Sequence, residues 1–562
     1  MKIITKVLWV LVAFLGITPA SRAQFTVTSA SYLGDASSTD AAAGCRIQAD
    51  GTIVLAANIG AAQPGGLPAT VLNNAGATAG GAILRLSPDG RTLLSVTRLA
   101  AQVTDLALDG NDNILVAAGL AGVFKLPPTA GSLTWNRLSG TFINRVDAAA
   151  NGHCAVLRPS NVADPDGAAG NGQVTLLAPD GSVVSTFTGY NNTQDVCLDG
   201  TTLVTVGWRQ ATAFDGTRNE PVQIAYLRGH SYAGAVTWTA YDWSTDRTSP
   251  RFINRPTNNM ADTRGYRCSI GRDGKLYAAF ECAGGNHIFR YSTTDITQSA
   301  SIVGGDQYHN FSNTRSEHKT FLARYEPATG AYLRGQQLVN RLPSGAGNTI
   351  RVKGGEIRAD ETGRVYIGGA AAFGLPALTL DPPGLGTYTG GAWLMVLSAD
   401  LTQRLFVTRL SAGGQTAALD ARVIGGQSAR LAWAGRTGSD PQYVLNPLQA
   451  AAGGGTQDGF FAVIGSSGPL STSPAAAEGR AARLYPNPAR GQVALAYHAA
   501  QAGPLTVEVR NAAGQTVAVP RRFAVPAGAG QITVPLPGLS PGFYLVRVQQ
   551  AERLSTHKLV VE

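Results

Sequence analysis

The stretch "ILRLSPDGRTLLSVTRL", residues 83–99, decides the fold, because it reads strand, tight turn, strand and then recurs. Its apolar positions favour β-branched residues, and Pro88-Asp89-Gly90 supplies a fixed φ followed by a residue that tolerates positive φ. Related hairpins stand at "VTLLAPDGSVVSTFTGY" (174–190), "FLARYEPATGAYLRGQQL" (321–338) and "WLMVLSADLTQRLFVTRL" (393–410). A second kind of hairpin follows most of them, as in "TDLALDGNDNILVAAGL" (104–120) and "GEIRADETGRVYIGGAA" (355–371). Seven pieces of this second kind can be found.

Two hairpins in succession make a four-stranded antiparallel meander, and repeating it radially gives the blades of a β-propeller. The first copy, near Ala49-Asp50-Gly51, has too little chain before it for a complete partner hairpin. At the other end a strand-like orphan, "GFFAVIGSSG" (459–468), is left over. Pairing it with the strands from about Thr26 to Asn58 would close the ring through both ends and remove its exposed edges. The expected fold class is all-β: a seven-bladed β-propeller, with six or eight blades as alternatives, then a small C-terminal β-sandwich. Expected boundaries are a signal peptide over 1–23, the propeller over 24–468, a linker over 469–482 and the sandwich over 483–562.

Composition agrees with that reading. A chain of 562 residues exceeds the size at which one core keeps growing, and 68 glycines with only 14% charged residues suit a turn-rich β protein. Lys2 and Lys6 precede an apolar run from Val7 to Ile17, with Ser21 and Ala23 at cleavage spacing, the pattern of a signal peptide. No later stretch approaches the ~20 apolar residues of a membrane-spanning helix, so the mature chain is expected to be exported and soluble. The formal charge is +9, but Lys2, Lys6 and Arg22 leave with the signal peptide. From Arg483 onward, eight Lys or Arg face only Glu508, Glu552 and Glu562, so the middle of the chain is nearly neutral. With no basic stripe there, nucleic acid is not an expected partner.

The resemblance of the middle region is to bacterial β-propeller repeat proteins, carried by "SYLGDASSTDAAAGCRIQADGTIVLAANI" and "TQDGFFAVI". It implies fold far more than activity. Five cysteines, Cys45, Cys154, Cys197, Cys268 and Cys282, form no C-x-x-C pair. They read as small buried hydrophobes, with Cys268 and Cys282 the first pair to test for a bridge.

In such a meander the turns within hairpins share one face and the other connections share the opposite one. The turns are short, whereas the long connections, including 244–265 and 283–318, all fall on the second face. Long loops on a rigid scaffold usually carry function. Two of these loops, with the residues leading into the first, concentrate Trp238, Tyr241, Trp243, His287, Tyr308, His309 and His318 with Asp262, Arg264, Asp306, Arg315 and Glu317. Aromatic faces beside carboxylates and guanidinium groups suit a sugar or another polar extracellular ligand. The competing reading places the aromatics beneath the loops as blade packing.

For a hydrolase, the other class considered, Asp262, Asp306 and Glu317 are the candidate acids and bases. "GHSYAG" lacks the second glycine of a nucleophile elbow, since Ala233 stands there. Asp109, Asn111 and Asn113 resemble a calcium loop, but Ile114 and Leu120 replace its glycine and terminal carboxylate, which leaves a polar turn. His309 and His318 match no established metal spacing, and neither a metal nor a cofactor is expected.

After the Ser-, Pro- and Ala-rich stretch 469–482, strand alternation returns. Tyr485-Pro486-Asn487-Pro488 opens this module, Asn511 to Gly514 makes a hairpin turn, Gly542-Phe543-Tyr544 precedes a Val/Leu strand, and Lys558-Leu559-Val560-Val561 ends it. At these residues the chain resembles the type A C-terminal sorting domain of type IX secretion cargo. The resemblance implies handling by the type IX machinery, translocation across the outer membrane, then release or attachment at the cell surface. The function expected is an exported or surface-displayed propeller that binds an extracellular ligand on its long-loop face. A secreted polysaccharide-active enzyme and a structural surface protein are the alternatives.

Overall fold

A computed structural model describes residues 24–467 and 483–562, except 37–38, 61–65, 73–79, 161–170, 215–216, 218, 250–251, 254–260, 284–287, 304–317, 342–346, 373, 376–377, 389, 412, 426–427, 439–441, 500–501, 512–514 and 551–552. The expected signal peptide and linker lie outside the described residues. The chain divides into two compact units, 1–471 and 472–562. Among the described residues no helix is long and apolar enough to cross a membrane.

The first unit is propeller-like and all-β. Its described residues form seven antiparallel meanders of four strands, one of which gains a fifth strand, Ala69–Val71, added in parallel. The first strands of these sheets are Ala41–Ile47, Asp105–Leu108, Arg145–Ala148, Thr193–Leu198, Thr263–Ile270, Ile350–Ala359 and Gln415–Ile424. Each of these strands packs beside its counterparts in the sheets before and after, and the last packs beside the first, so they close a ring.

Strands in the middle of a sheet are buried most completely. The third strand of the sixth sheet, Gly391–Leu397, is buried on both faces because neighbouring sheets cover it, and it reads as a continuous apolar run. An outermost strand, Val183–Thr188, alternates with solvent. One core cluster joins Val54 and Ile83 of the first sheet to Leu106, Val116 and Phe124 of the second, so stability comes from sheet facing sheet. Gly90 and Gly181 end the Pro-Asp-Gly turns at φ of 75° and 82°, the backbone region for which glycine was selected.

The ring closes through both ends of the unit, as expected. Gln24–Leu33 lies antiparallel to Gly459–Ser467, pairing from Gln24 with Ser467 to Leu33 with Gly459. The division of strands differs from the sequence reading, however. Only Gln24–Leu33 joins the closing sheet, while Ala41–Ile47 and Ile53–Ile59 begin the next one by pairing onward with Gly80–Leu86. The cysteines are the small buried side chains expected: all five are buried and none is in a disulfide, including the pair Cys268 and Cys282. Along the shared ladder Cys282 sits opposite Thr263 and Cys268 opposite Ala278, which sets them farther apart than the roughly 7 Å of Cα separation that a disulfide can span.

In the second unit seven strands form one connected order: Thr516–Val525, Gly503–Asn511, Gly542–Gln550, Arg553–Val561, Arg483–Arg490, Gln492–Ala499, Gly528–Pro535. The strand carrying Pro-Asn-Pro is the hinge of that order. Its first residues, Arg483 to Tyr485, pair antiparallel with Ala494 to Ala496, whereas Ala489 pairs in parallel with Val561. Pro486 and Pro488 have no N–H to offer a ladder. The Asn487 side chain substitutes for it, donating to the Lys558 carbonyl and accepting from the Val560 N–H, each at 2.8 Å. Tyr485 donates to Gln531 at 2.6 Å and Tyr544 to the Ser540 carbonyl at 2.8 Å. Gly542 opens its strand opposite Val561, and Gly514 lies outside the described residues.

Candidate functional site

Innermost strands pose a chemical problem: their inner edges have no further strand to pair with, and unpaired buried N–H and C=O groups are costly. The sequence answers with charged side chains at alternate positions, which share one face of a strand. Asp105 accepts from Val146 N–H at 3.0 Å, Asp147 from Leu198 N–H at 3.1 Å and Asp195 from Cys268 N–H at 3.1 Å. Asp420 closes the circuit by accepting from Ile47 N–H at 2.8 Å. In the opposite sense, Arg267 donates to the Gly355 carbonyl at 2.7 Å and Ser269 to that of Ile357 at 2.8 Å. Each of these bonds joins one inner strand to the next around the ring.

Where the inner strands run into their short turns, a cavity of about 300 Å³ opens. Arg46, Asp147, Arg358, Asp420 and Arg422 supply charged lining from the strands, and Asp109, Asp112, Asp199 and Arg272 from the turns. Arg272 bonds Asp420 at 2.8 Å, and Arg46 and Arg358 approach Glu356 at 3.7 and 3.4 Å. Sequence reasoning missed this site because it favoured the opposite face. Its signal was present as isolated charges inside apolar strands, "VDA", "QDVCL", "GEIRA" and "ALDAR".

On the long-connection face the described candidates separate into two groups. Tyr241 and Trp243 are each 1% exposed and belong to the core, where Tyr241 shares a 2.6 Å hydrogen bond with Tyr325 and packs on Phe280 and Phe289. Neither offers a ring face to a ligand, which corrects that part of the sequence reading. Trp238 lies toward the short-turn side instead, a further correction: its indole donates to the Pro327 carbonyl at 2.9 Å, in the turn between His318–Tyr325 and Tyr332–Leu338 of the next sheet. Asp262, Arg264 and His318 do come together, around Glu281, a residue not singled out from sequence. Glu281 is 1% exposed and is bound by Arg264 at 2.9 Å, His318 at 2.9 Å and Arg351 at 2.7 Å. Asp262 lies 3.5 Å from Arg264 and accepts from the Gln223 N–H at 2.9 Å. His287, Asp306, Tyr308, His309, Arg315 and Glu317 lie outside the described residues. Among those described, no group of acidic, His and Cys side chains is arranged to hold a metal ion.

The rejected motifs have structural roles. Asp109 accepts from the Asn111 and Asn113 N–H groups of its turn and pairs with Lys125 at 2.9 Å. His230, beside Ser231, is buried against Thr205 at 2.9 Å, and burial lowers its pKa to about 4.

Asp147 and Asp195 titrate in the opposite sense to Glu281. Burial pushes the Asp195 carboxyl up to about 7 despite Arg267 and Arg145, and that of Asp147 up to about 6 despite Arg358 and Arg46. Burial would also raise Glu281, but His318 and Arg351 outweigh it and hold that carboxyl at about 2. A raised folded pKa contributes stability that is complete below the unfolded value and is lost as pH rises through the folded one; a lowered pKa does the reverse. Glu281 therefore supports the fold above its ordinary value of 4.5 and ceases to do so toward pH 2, while Asp147 and Asp195 penalise it through about 6 and 7. The expected stability maximum lies near pH 4, with a loss on the order of several kcal/mol by pH 8. Thermal midpoints across that range, with Asp195→Asn flattening the alkaline limb, would establish this; a midpoint still climbing at pH 8 would contradict it.

No curated protein matches the chain. Among solved structures it is similar to U3-55K, at 10% identity over 79% of this chain and 98% of that one, with a TM-score of 0.41. It is also similar to BamB from Moraxella catarrhalis, at 11% identity over 79% of this chain and 100% of that one, with a TM-score of 0.34. Residues 483–562 match the family described as the secretion system C-terminal sorting domain, so the chain carries at its C-terminal end the sorting domain of type IX secretion cargo.

Proposed function

We propose that the first unit is a seven-bladed β-propeller and the second a β-sandwich, and that the propeller binds a polar extracellular ligand, a glycan among the candidates, on its long-connection face. The signal peptide takes the chain to the periplasm. The C-terminal module then directs it through the type IX route to release or surface attachment. The observation that carries the binding reading is the convergence of Asp262, Arg264, His318 and Arg351 around buried Glu281. Arg264, Glu281, His318 and Arg351 are rooted on strands and Asp262 directly precedes one, so their donors and acceptors are held in place before a ligand arrives. Such groups can bond sugar hydroxyls, and Asp262, Arg264, His318 and Arg351 keep part of their side chains in solvent.

The same cluster favours a binder over a hydrolase. A carboxyl held at about 2 stays ionised at neutral pH and delivers no proton, so Glu281 cannot be a general acid there. Screening the mature chain against extracellular polysaccharides, beside an Arg351→Ala/His318→Ala double variant, tests the reading. Retention on at least one polysaccharide should fall roughly tenfold or more in the variant. Unchanged retention of the variant on every bound polysaccharide would refute it.

A further inference from the structure

Two of the buried cysteines meet across a boundary between sheets. Cys197 stands on the innermost strand of the fourth sheet, Thr193–Leu198, and Cys268 on that of the fifth, Thr263–Ile270. Side chains two residues apart on a strand share a face. Asp195 reaches the fifth sheet to accept the Cys268 N–H at 3.1 Å, so Cys197, two residues on, faces the same way. On the fifth sheet, Arg267 and Ser269 reach onward to the Gly355 and Ile357 carbonyls of the sixth. Cys268 lies between them in sequence and therefore faces back toward the fourth. The two thiols share a hydrogen bond inside one core cluster, where Cys197 is 0% and Cys268 2% exposed.

The other three cysteines are placed differently. Cys45 directs its thiol to the Ala432 carbonyl at 3.5 Å, and the Cys282 sulfur lies 4.0 Å from the Gln337 amide. Cys154 sits in the third sheet, opposite Ala148 on one side and Leu177 on the other.

We propose that Cys197 and Cys268 are a disulfide site, oxidised while the exported chain folds, which clamps the fourth sheet to the fifth. The proposal rests on the export reading, because disulfides form and persist outside the cytoplasm and thiols inside it are kept reduced. The oxidant is a protein or small-molecule disulfide. One cysteine, as thiolate, attacks it to give a mixed disulfide, which the other cysteine then displaces. One S–S bond forms as one breaks, and the oxidant leaves as two thiols that carry the two protons. Hydrogen-bonded sulfurs have only to draw together to the ~2 Å of a disulfide. Burial pushes both thiols up, so the packed pair supplies few thiolates and the exchange belongs to folding, before the two sheets close on each other. Closing a loop of about 70 residues then restricts the unfolded chain and favours the folded one.

The full mature chain, reduced and denatured, is refolded in mixed reduced and oxidised glutathione, unfolded again without reductant and treated with iodoacetamide. Cys45, Cys154 and Cys282 should be alkylated, and proteolysis should release the Cys197 peptide joined to the Cys268 peptide. Cys197→Ala should open Cys268 to alkylation, while Cys282→Ala should leave the joined peptides in place. The bonded chain should melt a few degrees above the same chain refolded with reductant, a difference that Cys197→Ala/Cys268→Ala abolishes. The same alkylation is applied to chain taken from the producing bacterium, with its location read by fractionation. Chain found outside the cytoplasm with both thiols alkylated would overturn the disulfide, as would alkylation of all five cysteines after refolding or a bond to a different cysteine. Chain confined to the cytoplasm would instead refute the export reading, and the refolding result would still decide the bond.

Discussion

A mature chain lacking residues 24–33 should fail to reach a soluble, cooperatively folded state. That strand is the outermost member of the closing sheet and pairs along Gly459–Ser467. It buries Phe25 and Leu33, each worth about 2 kcal/mol in apolar transfer, and its lost ladder bonds add about 1 kcal/mol apiece. Its far edge is covered in turn, because Ala30 exchanges backbone hydrogen bonds with Leu445 and the Ser31 hydroxyl accepts from Gln449 N–H. The sum approaches the whole stability of an ordinary domain, on the order of 5–15 kcal/mol.

Deletion also bares an edge. Phe460 to Ile464 form a run of five buried apolar residues, and an unpaired strand of that composition is a template for aggregation. The expected outcome is insoluble product, or soluble oligomers with a broadened thermal transition, and partial recovery when a peptide of residues 24–33 is supplied. A soluble monomer melting at the parent temperature would show that the ring does not depend on this closure.

The second large effect concerns destination. Removing residues 483–562 takes away a module with its own core, built from Val493, Leu495, Leu505, Val507, Val546 and Leu559 among others. Among the described residues, none of the strand pairings of the first unit involves a residue beyond Ser467. The truncated protein should therefore fold normally while its delivery falls to background. Thermal melts would report the first half of that statement and cell fractionation the second.

Much of this fold was legible in sequence because its determinants are local. The Pro-Asp-Gly turns at residues 88–90 and 179–181 fix hairpins by φ alone, and the apolar runs between them have strand length. The orphan at 459–468 had to find a partner at the other end, and it found Gln24–Leu33. The allocation of Ala41–Ile47 was not legible, because which neighbour a strand pairs with depends on where the chain passes from one sheet to the next.

The sites were harder for the same reason. Asp105, Asp147, Asp195 and Asp420 are visible as lone charges in apolar strands, but their partners are the N–H groups of strands about 40 to more than 370 residues away. Tyr241 and Trp243 were read as ligand-facing because they border a long connection. Tyr241 instead turns under it, onto Phe280 and Tyr325, and Trp243 packs on Tyr241. Asp262, Arg264 and His318 were recognised, yet the group that unites them, Glu281, looked like an ordinary strand residue in "YAAFECA".

The central claim is a division of labour: a self-contained propeller that does the binding and a sorting module that determines where it goes. It is tested most directly by producing the chain ended at Ser467 in a bacterium with an active type IX route and following it by fractionation and limited proteolysis. The expected result is a protease-resistant propeller, melting like the full chain and held in the periplasm. Export of that truncated chain at the parent level, or its loss as an unfolded species, would contradict the claim.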